Sequence, residues 1–492
     1  MKRIFWNLLF ALLAGACLRL LFVLKFPAGS GDTVIYEQLA TNWLRHGMLA
    51  MDIGGQPAPV DLRMPGYPAF LAAIYALTGK VGEDARRAVM FAQVFVDLIG
   101  CVVIAALATI VAGFCSAEWR RNRVRVFVAA LWLAALCPFT GNYPAVPLTE
   151  VWATFFTALA FCAVSLLVVE VGNNGVFGAE GLAWLPPWLR GDWQLAAASG
   201  VIVGVATLFR PEAPLLLITT ALALCVWLAR REQWMRLVVL LIVMGASCAV
   251  PLVPWTIRNA VTLHEFQPLA PKDTMLPGEV DPKGFMAWES TWLYRLRDCY
   301  LVAWKLNDEA IQMEDIPAYA FDTPEEKARV AALLETYNDE LTWNAQEDSA
   351  MAQIARERTA RYPLRTYVLV PLRRVFTIWF TPRIELIPVS GHVFPLRQMY
   401  YEDRVDQRTT VGYFFLNIFY VALALFGGWK LWRGCAAARP AIVAMALYVL
   451  VRTAFLTTLE TPEPRYVLVC FPILFALGAQ AFVSRPARQQ IR

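Results

Sequence analysis

GSGDTVIYEQLATNWLRHG, residues 29–47, and RMPGYPAFLAAIYALTG, residues 63–79, decide the fold of this chain. They lie between two long apolar runs, residues 4–26 and 89–114, and neither fits a membrane crossing. The first is polar but carries Ile35, Leu39 and Trp43 four residues apart, the spacing of one helix face. That pattern predicts an amphipathic helix lying on the membrane, with Trp43 at the interface and Gly47 as its stop. Asp32 stands at its start and is expected as the N-cap, its carboxylate facing free N–H groups and the positive end of the helix dipole. The second stretch offers about a dozen residues from Pro68 to Gly79, ~18 Å of helix against the ~30 Å of a bilayer core. It should also lie flat. Arg63 precedes it beside Pro65, Gly66, Tyr67 and Pro68, a stiff backbone that fixes the guanidinium in place. Arginine holds phosphate through a planar fork of donors. Taken alone, a helix-capping Asp and an Arg facing lipid headgroups are the plain alternatives.

Around these stretches the composition is that of a membrane protein. Hydrophobic residues make up 58% of the 492 and charged residues 17%, against about 25% charged in soluble domains. Apolar runs of about 18 residues or more recur along the whole length. The chain is therefore all-α and polytopic, since the short alternating segments of a barrel are missing. The net charge of +5 is modest, and basic residues cluster in short turns between the runs. That is the pattern of membrane orientation, not of nucleic-acid binding. Nine of the ten cysteines lie in or beside apolar runs, so neither an internal disulfide framework nor a CxxC metal pair is expected. His46, His264 and His392 are far apart in sequence and give no local support to a histidine metal site.

Ten spans are predicted, near residues 4–26, 89–114, 124–140, 151–171, 193–209, 213–228, 237–255, 412–431, 441–459 and 466–483. The basic clusters at Lys2 and Arg3, Arg120 to Arg125, Arg230 to Arg236, Lys430 to Arg439 and Arg485 to Arg492 then all fall inside, with both termini. Residues 172–192 read as an irregular inside loop. Arg19 lies within the first run, where a midplane charge costs ~2.5–3.5 kcal/mol on insertion scales. It either snorkels to an interface or faces inward as a functional charge. Three regions follow: a membrane module over residues 1–257 that includes a first outer loop at 27–88, a polar outer-face region at 258–410, and C-terminal spans at 411–492. Within the polar region, Thr323-Pro324-Glu325-Glu326 predicts a helix start. Residues 367–380 read as an outer interfacial helix, because Pro371, Arg373 and Arg374 interrupt any crossing there.

This topology puts the unusual polar residues on one face. Pro147-Leu148-Thr149-Glu150 opens a span, and Arg210-Pro211-Glu212 joins two. Pro254-Trp255-Thr256-Ile257-Arg258-Asn259 closes another, and Pro464-Arg465-Tyr466, after Glu463, opens the last. Each alone reads as an end-of-helix charge. Together they set carboxylates and several arginines where an anionic lipid and a hydroxyl acceptor could meet.

In order, Gly31-Asp32 followed by Tyr36, R-x-P-G-Y-P-x-F-L-A from Arg63 to Ala72, P-L-T-E, R-P-E, P-W-T-I-R-N and P-R-Y resemble the bacterial GT-C-fold glycosyltransferases. These are relatives of the protein O-mannosyltransferases and the lipid A aminoarabinose transferase. The resemblance runs nearly end to end through the membrane part and adds little over residues 260–410. It implies a GT-C-type fold with about ten transmembrane helices, interfacial helices in the first outer loop and a small outer-face domain. It implies an inverting transfer of a sugar from a polyprenyl-phosphate donor to an acceptor, whether lipid, protein or glycan, at the outer face. Asp32 matches the catalytic base, and Glu150 a second acid that orients the acceptor or holds a metal. Arg63, Arg258 and Arg465 match donor-phosphate ligands, and Tyr36, Tyr67, Arg210, Glu212 and Tyr466 further substrate contacts. The implied setting is a bacterial inner membrane, multi-pass, with both termini cytoplasmic, membrane lipids around the chain and no nucleic-acid partner.

The sequence departs from the family in one respect. Many members carry two adjacent acids in the first loop, whereas Thr33 follows Asp32 here and Glu37 lies one helical turn on. A divalent cation, Mg or Mn, on Asp32 and Glu150 stays an open alternative, because two carboxylates without a histidine cluster do not decide it. Two rival activities are a flippase or transporter of a lipid-linked sugar, which expects charges along a midplane path, and a polysaccharide polymerase or ligase using a diphosphate-linked donor.

Overall fold

The computed structural model describes residues 2–115, 119, 122–173, 186–229, 232–271 and 280–483. Arg120, Arg121, Arg230, Arg231, the basic residues from Arg485 onward and most of the loop at 172–192 lie outside the described residues. Among the described residues the chain is helical apart from one two-stranded hairpin. Among these residues seven helices are long and apolar enough to cross a membrane, and the bent pair Arg123–Ala135 with Pro138–Ala145, turned by 51°, makes an eighth if counted as one span. The expected ten therefore includes two elements that fall short. The spans expected at 193–209 and 213–228 form helices Asp192–Thr207 and Leu215–Leu228, of 16 and 14 residues, below the ~20 of a straight crossing. Pro211 and Pro214 in the turn between them stop helix from running through.

The chain divides into two compact units, one of residues 1–270, 382–450 and 468–492, the other of residues 271–381 and 451–467. The first unit reaches beyond the sequence-based boundaries because Gln267 donates to Asp61 at 2.6 Å, and Leu386 and Ile387 pack into its apolar clusters.

In the first unit, helix α1 (Lys2–Lys25) leads into α2 (Gly31–His46). The N-cap of α2 is Ser30, not Asp32: the Ser30 N–H donates to Thr33 Oγ1 at 3.1 Å, and Asp32 sits within the first turn. The buried face of α2 also differs from the expected stripe. Thr33, Tyr36, Glu37, Leu39 and Ala40 are buried, whereas Trp43 is 36% exposed. The cause is tertiary, since Tyr36 and Ala40 join Tyr67, Leu71 and Tyr75 of the next helix in one apolar cluster. Strands β1 (Ala50–Ile53) and β2 (Gln56–Pro59) follow as an antiparallel hairpin. It turns at Gly54 and Gly55, with φ of 60° and 81°, as a two-residue primed turn requires. Helix α3 (Gly66–Thr78) is 13 residues long and ends at Gly79 in the left-handed region, as expected. Gly66 donates its N–H to Leu208 O at 2.7 Å, and a Cβ there would stand 2.6 Å from that oxygen. Only glycine lets α3 start against the end of helix Asp192–Thr207.

Helix α4 (Arg86–Gly113) resolves the question posed by Arg19. Arg19 is fully buried and pairs with Asp97 of α4 at 2.5 Å. Its Nη1 also donates to Gly15 O at 3.0 Å and to Ala135 O at 2.7 Å. The arginine thus faces inward and satisfies a carbonyl left bare where the bent span breaks between Ala135 and Pro138.

A disulfide between Cys115 and Cys435 overturns the expectation of none. The two are 320 residues apart in sequence, so no spacing signal marks them. It ties the end of α4 to the end of helix Arg404–Gly434, and Asn173 donates to Ala437 O at 3.1 Å beside it. Cys115, Asn173, Cys435 and Ala437 therefore meet at one end of the first unit.

The second unit has a core of Phe285, Trp288, Trp292 and Trp343. Thr323 caps helix Pro324–Glu340 as expected, its Oγ1 accepting the Glu326 N–H at 3.2 Å. Residues 365–380 form a π-helical turn, Arg365–Leu369, and helix Val370–Phe380, 11 residues and too short to cross. Leu372 and Phe376 are exposed on it, while Arg374 is buried and donates to Leu293 O at 2.8 Å.

Candidate active site at one end of the first unit

The starts of α2 and α3 bring two expected site residues together. Arg63 Nη2 donates to Asp32 Oδ1 at 2.7 Å, and the side chains stay 32% and 27% exposed. Arg63 is steadied by a second bond, from Nη1 to Leu62 O at 3.0 Å. Beside this pair, Arg210 donates to Glu212 at 2.7 Å, to Glu150 at 3.2 Å and to Thr149 Oγ1 at 3.4 Å. Glu150 is the first residue of helix Glu150–Gly172 and is almost fully buried. Tyr36 lies within electrostatic reach of both pairs. Burial and then Asp32 push its hydroxyl pKa up, and Arg63 and Arg210 oppose them. Its ring meets Tyr67 edge-on at 4.9 Å.

Residues that sequence reading missed hold this arrangement. Tyr67 donates to Gln93 Oε1 at 2.7 Å, and Gln93 Nε2 donates to Pro144 O at 3.2 Å and Val146 O at 2.8 Å. Thr33 Oγ1 donates to Pro147 O at 3.2 Å. Gln93 and Thr33 thereby fix the turn that delivers Glu150 to the helices that deliver Asp32 and Arg63. Arg86 grips Glu37 through two bonds of 2.7 and 2.9 Å and ties α2 to the start of α4. A lone Gln in an apolar run was the one available sign of Gln93.

Arg258 is placed otherwise. It donates to Leu49 O at 2.7 Å and Val60 O at 2.9 Å and lies over Trp255 at 5.3 Å, so it closes the base of the hairpin. Arg465 and Tyr466 belong to the second unit and share the Glu463 carboxylate, with Tyr466 donating at 2.6 Å and Arg465 forming an ion pair. The first unit thus brings together Asp32, Tyr36, Arg63, Tyr67, Glu150, Arg210 and Glu212. It also buries Arg383, which no motif marked, over Phe471 at 5.1 Å.

Among the described residues no group of three or more His, Cys, Asp or Glu is placed to hold a metal ion. Asp32 and Glu150 each already face an arginine. The positive charge beside both carboxylates is guanidinium. The chemistry on offer is a partly exposed carboxylate able to take a proton, beside a forked cation able to hold an anion.

No family model matches the chain, and no curated protein matches it. Among solved structures, the Archaeoglobus fulgidus oligosaccharyltransferase tethered to an acceptor peptide with an NVT sequon is 12% identical, over 96% of this chain and 49% of its own, with a TM-score of 0.48. ArnT from Cupriavidus metallidurans bound to undecaprenyl phosphate is 14% identical, over 91% of this chain and 77% of its own, with a TM-score of 0.38. The chain spans about half the length of the archaeal protein.

Proposed function

We propose that this chain is an integral-membrane glycosyltransferase of the GT-C type, moving a sugar from a polyprenyl-phosphate donor to a hydroxyl acceptor. The observation that carries the reading is the contact of Asp32 with Arg63. A proton acceptor and a phosphate ligand stand one hydrogen bond apart at one end of a membrane bundle, on motifs whose order resembles that family.

In this reading the donor phosphate takes up donors of the Arg63 fork. Asp32 removes the proton of the acceptor hydroxyl as its oxygen attacks the anomeric carbon. The bond from that carbon to the phosphate oxygen breaks on the opposite face, so configuration inverts. The electron pair leaves on polyprenyl phosphate, whose charge Arg63 stabilises. A positioned base contributes ~10²–10⁴-fold. Glu150, held by Arg210, orients the acceptor, and Tyr36 and Tyr67 form the wall between them. Arg258 acts by holding the hairpin. By the same reading the guanidinium of Arg63 supplies the positive charge beside the leaving phosphate. In this reading the site faces the periplasm of a bacterial inner membrane and both termini are cytoplasmic, a sidedness that follows the clustering of basic residues in the sequence.

A lipid-linked-sugar flippase is less well supported. Two charges within the spans, Arg19 and Asp97, are buried and bonded to each other, and Arg19 is bonded to backbone as well, which suits a structural pair. The test is transfer in proteoliposomes from a labelled polyprenyl-phosphate sugar. Asp32→Asn should abolish transfer while membrane insertion stays at wild-type level; undiminished transfer would remove Asp32 as the base.

A further inference from the structure

The second unit contains a cleft of about 320 Å³ that lies wholly within it. That volume is at the lower end of the ~300–1,000 Å³ of ligand sites. Helix Lys283–Ser290 gives it an apolar floor at Met286. Polar residues share the lining: Ser290, Thr359, Thr366, Tyr367, Glu460 and Lys283. Lys283 also reaches Asp281 at 2.8 Å, so the cleft carries no surplus of positive charge.

This lining discriminates between ligand classes. An apolar ligand would strip water from the hydroxyls and return no hydrogen bond. An anion would meet Glu460 with Lys283 already shared, and a cation would meet Lys283. A neutral polyol matches each group, with hydroxyls that donate to Glu460 and accept from Lys283. Its C–H face suits the Tyr367 ring, which is 72% exposed. Of the lining residues, Thr366 has a side-chain oxygen with no protein partner. A cleft lined by hydroxyl-bearing residues with one carboxylate and one ammonium, and so without a net preference for charge, is suited to a sugar ring.

We propose that this cleft binds an uncharged saccharide and serves as the recognition site for the glycan part of an acceptor. In that role the proposal rests on the transferase reading, and it narrows the acceptor to a glycan. Binding itself requires no donor and no reaction.

The test is saturation-transfer NMR on the full chain in nanodiscs without donor, using glucose, galactose, mannose and N-acetylglucosamine as probes and glucuronate as the charged counterpart. At least one neutral sugar should receive transfer at its ring protons, and glucuronate should bind more weakly. Tyr367→Ala and Glu460→Gln should each weaken the neutral sugar about 10-fold, the loss of one good contact. Unchanged thermal midpoints will show that both variants are folded. The proposal is overturned if no neutral sugar binds, if both folded variants bind like the wild type, or if glucuronate is preferred. A chain that binds sugar but transfers nothing keeps this site and loses the transferase reading; transfer without sugar binding overturns the site alone.

Discussion

Asp32 and Arg63, 31 residues apart in sequence, face each other at 2.7 Å across the first turn of one short helix and the bend before the next. Both remain about a third exposed, so the pair can open to a ligand without unpacking the core. A phosphate that takes up Arg63 also releases Asp32 for the acceptor, and the two events are coupled by this one bond.

The coupling sets different expectations for the two residues. Arg63→Lys keeps the charge but loses the planar fork, and Arg63→Ala loses both. Donor KM should rise about 10-fold or more in Arg63→Ala, the worth of a hydrogen bond to a charged group. Asp32→Asn should lower kcat by ~10²-fold or more with little change in donor KM. Initial rates at varied donor concentration separate the effects. An unchanged donor KM in Arg63→Ala would take the phosphate away from this arginine.

Gln93 touches none of the proposed reacting groups, yet it joins Tyr67 to the Pro144 and Val146 carbonyls. Gln93→Leu leaves a phenol and two carbonyls unpaired in a buried place, at a cost of ~1–3 kcal/mol. The thermal midpoint should fall and kcat should fall more than KM changes, because the turn carrying Glu150 loosens against α2 and α3. Adding Tyr67→Phe should cost little more, since its partner is already gone. Fully additive losses would show that the two side chains do not act together.

How much of this was legible follows from the range of each interaction. Asp32, Arg63, the stop at Gly47 and the short α3 could be read because their signals are local: a motif, a cap, a length. The buried face of α2 could not. Ile35, Leu39 and Trp43 form the better apolar stripe, but the helix turns Tyr36 and Ala40 toward Tyr67 and Leu71, a tertiary choice that overrides periodicity. Gln93 and the Cys115–Cys435 bond join segments far apart in the chain, where a single sequence gives no pairing signal. The hairpin at Gly54-Gly55 carries a local signal of its own, two adjacent glycines between short strands. The break at Pro211 and Pro214 was legible as well, since it separates the helices Asp192–Thr207 and Leu215–Leu228 where the sequence reading ends one span and starts the next.

The Arg19–Asp97 pair predicts a non-additive pattern. Arg19→Leu strands a buried carboxylate and should destabilise by ~3–5 kcal/mol, and Asp97→Leu strands the arginine. The double variant removes both charges and should be more stable than either single variant. It should still fall below wild type, because Ala135 O loses its donor. Unfolding midpoints in detergent provide the measurement. A double variant as unstable as the sum of its parts would mean that the charges do not depend on each other.

Glu289 in the second unit gives a pH dependence whose sign is fixed. It is 2% exposed, and its Oε1 has no partner. Burial first, and then the neighbouring Glu460, hold its pKa well above the ordinary carboxylate range, with Arg374 opposing them. Between an unfolded value of about 4.3 and that raised value, the folded chain holds a proton that the unfolded chain has released. Stability therefore falls as pH rises through this window, and below the unfolded pKa the effect disappears. Glu289→Gln keeps the shape and removes the titrating group. Its advantage over wild type should be absent near pH 4 and should grow toward pH 8. Hydrogen exchange of peptides from helix Lys283–Ser290 in the full chain, followed across that range, reads the difference. Curves for wild type and Glu289→Gln that stay parallel would show that this carboxyl is ionised in the folded chain.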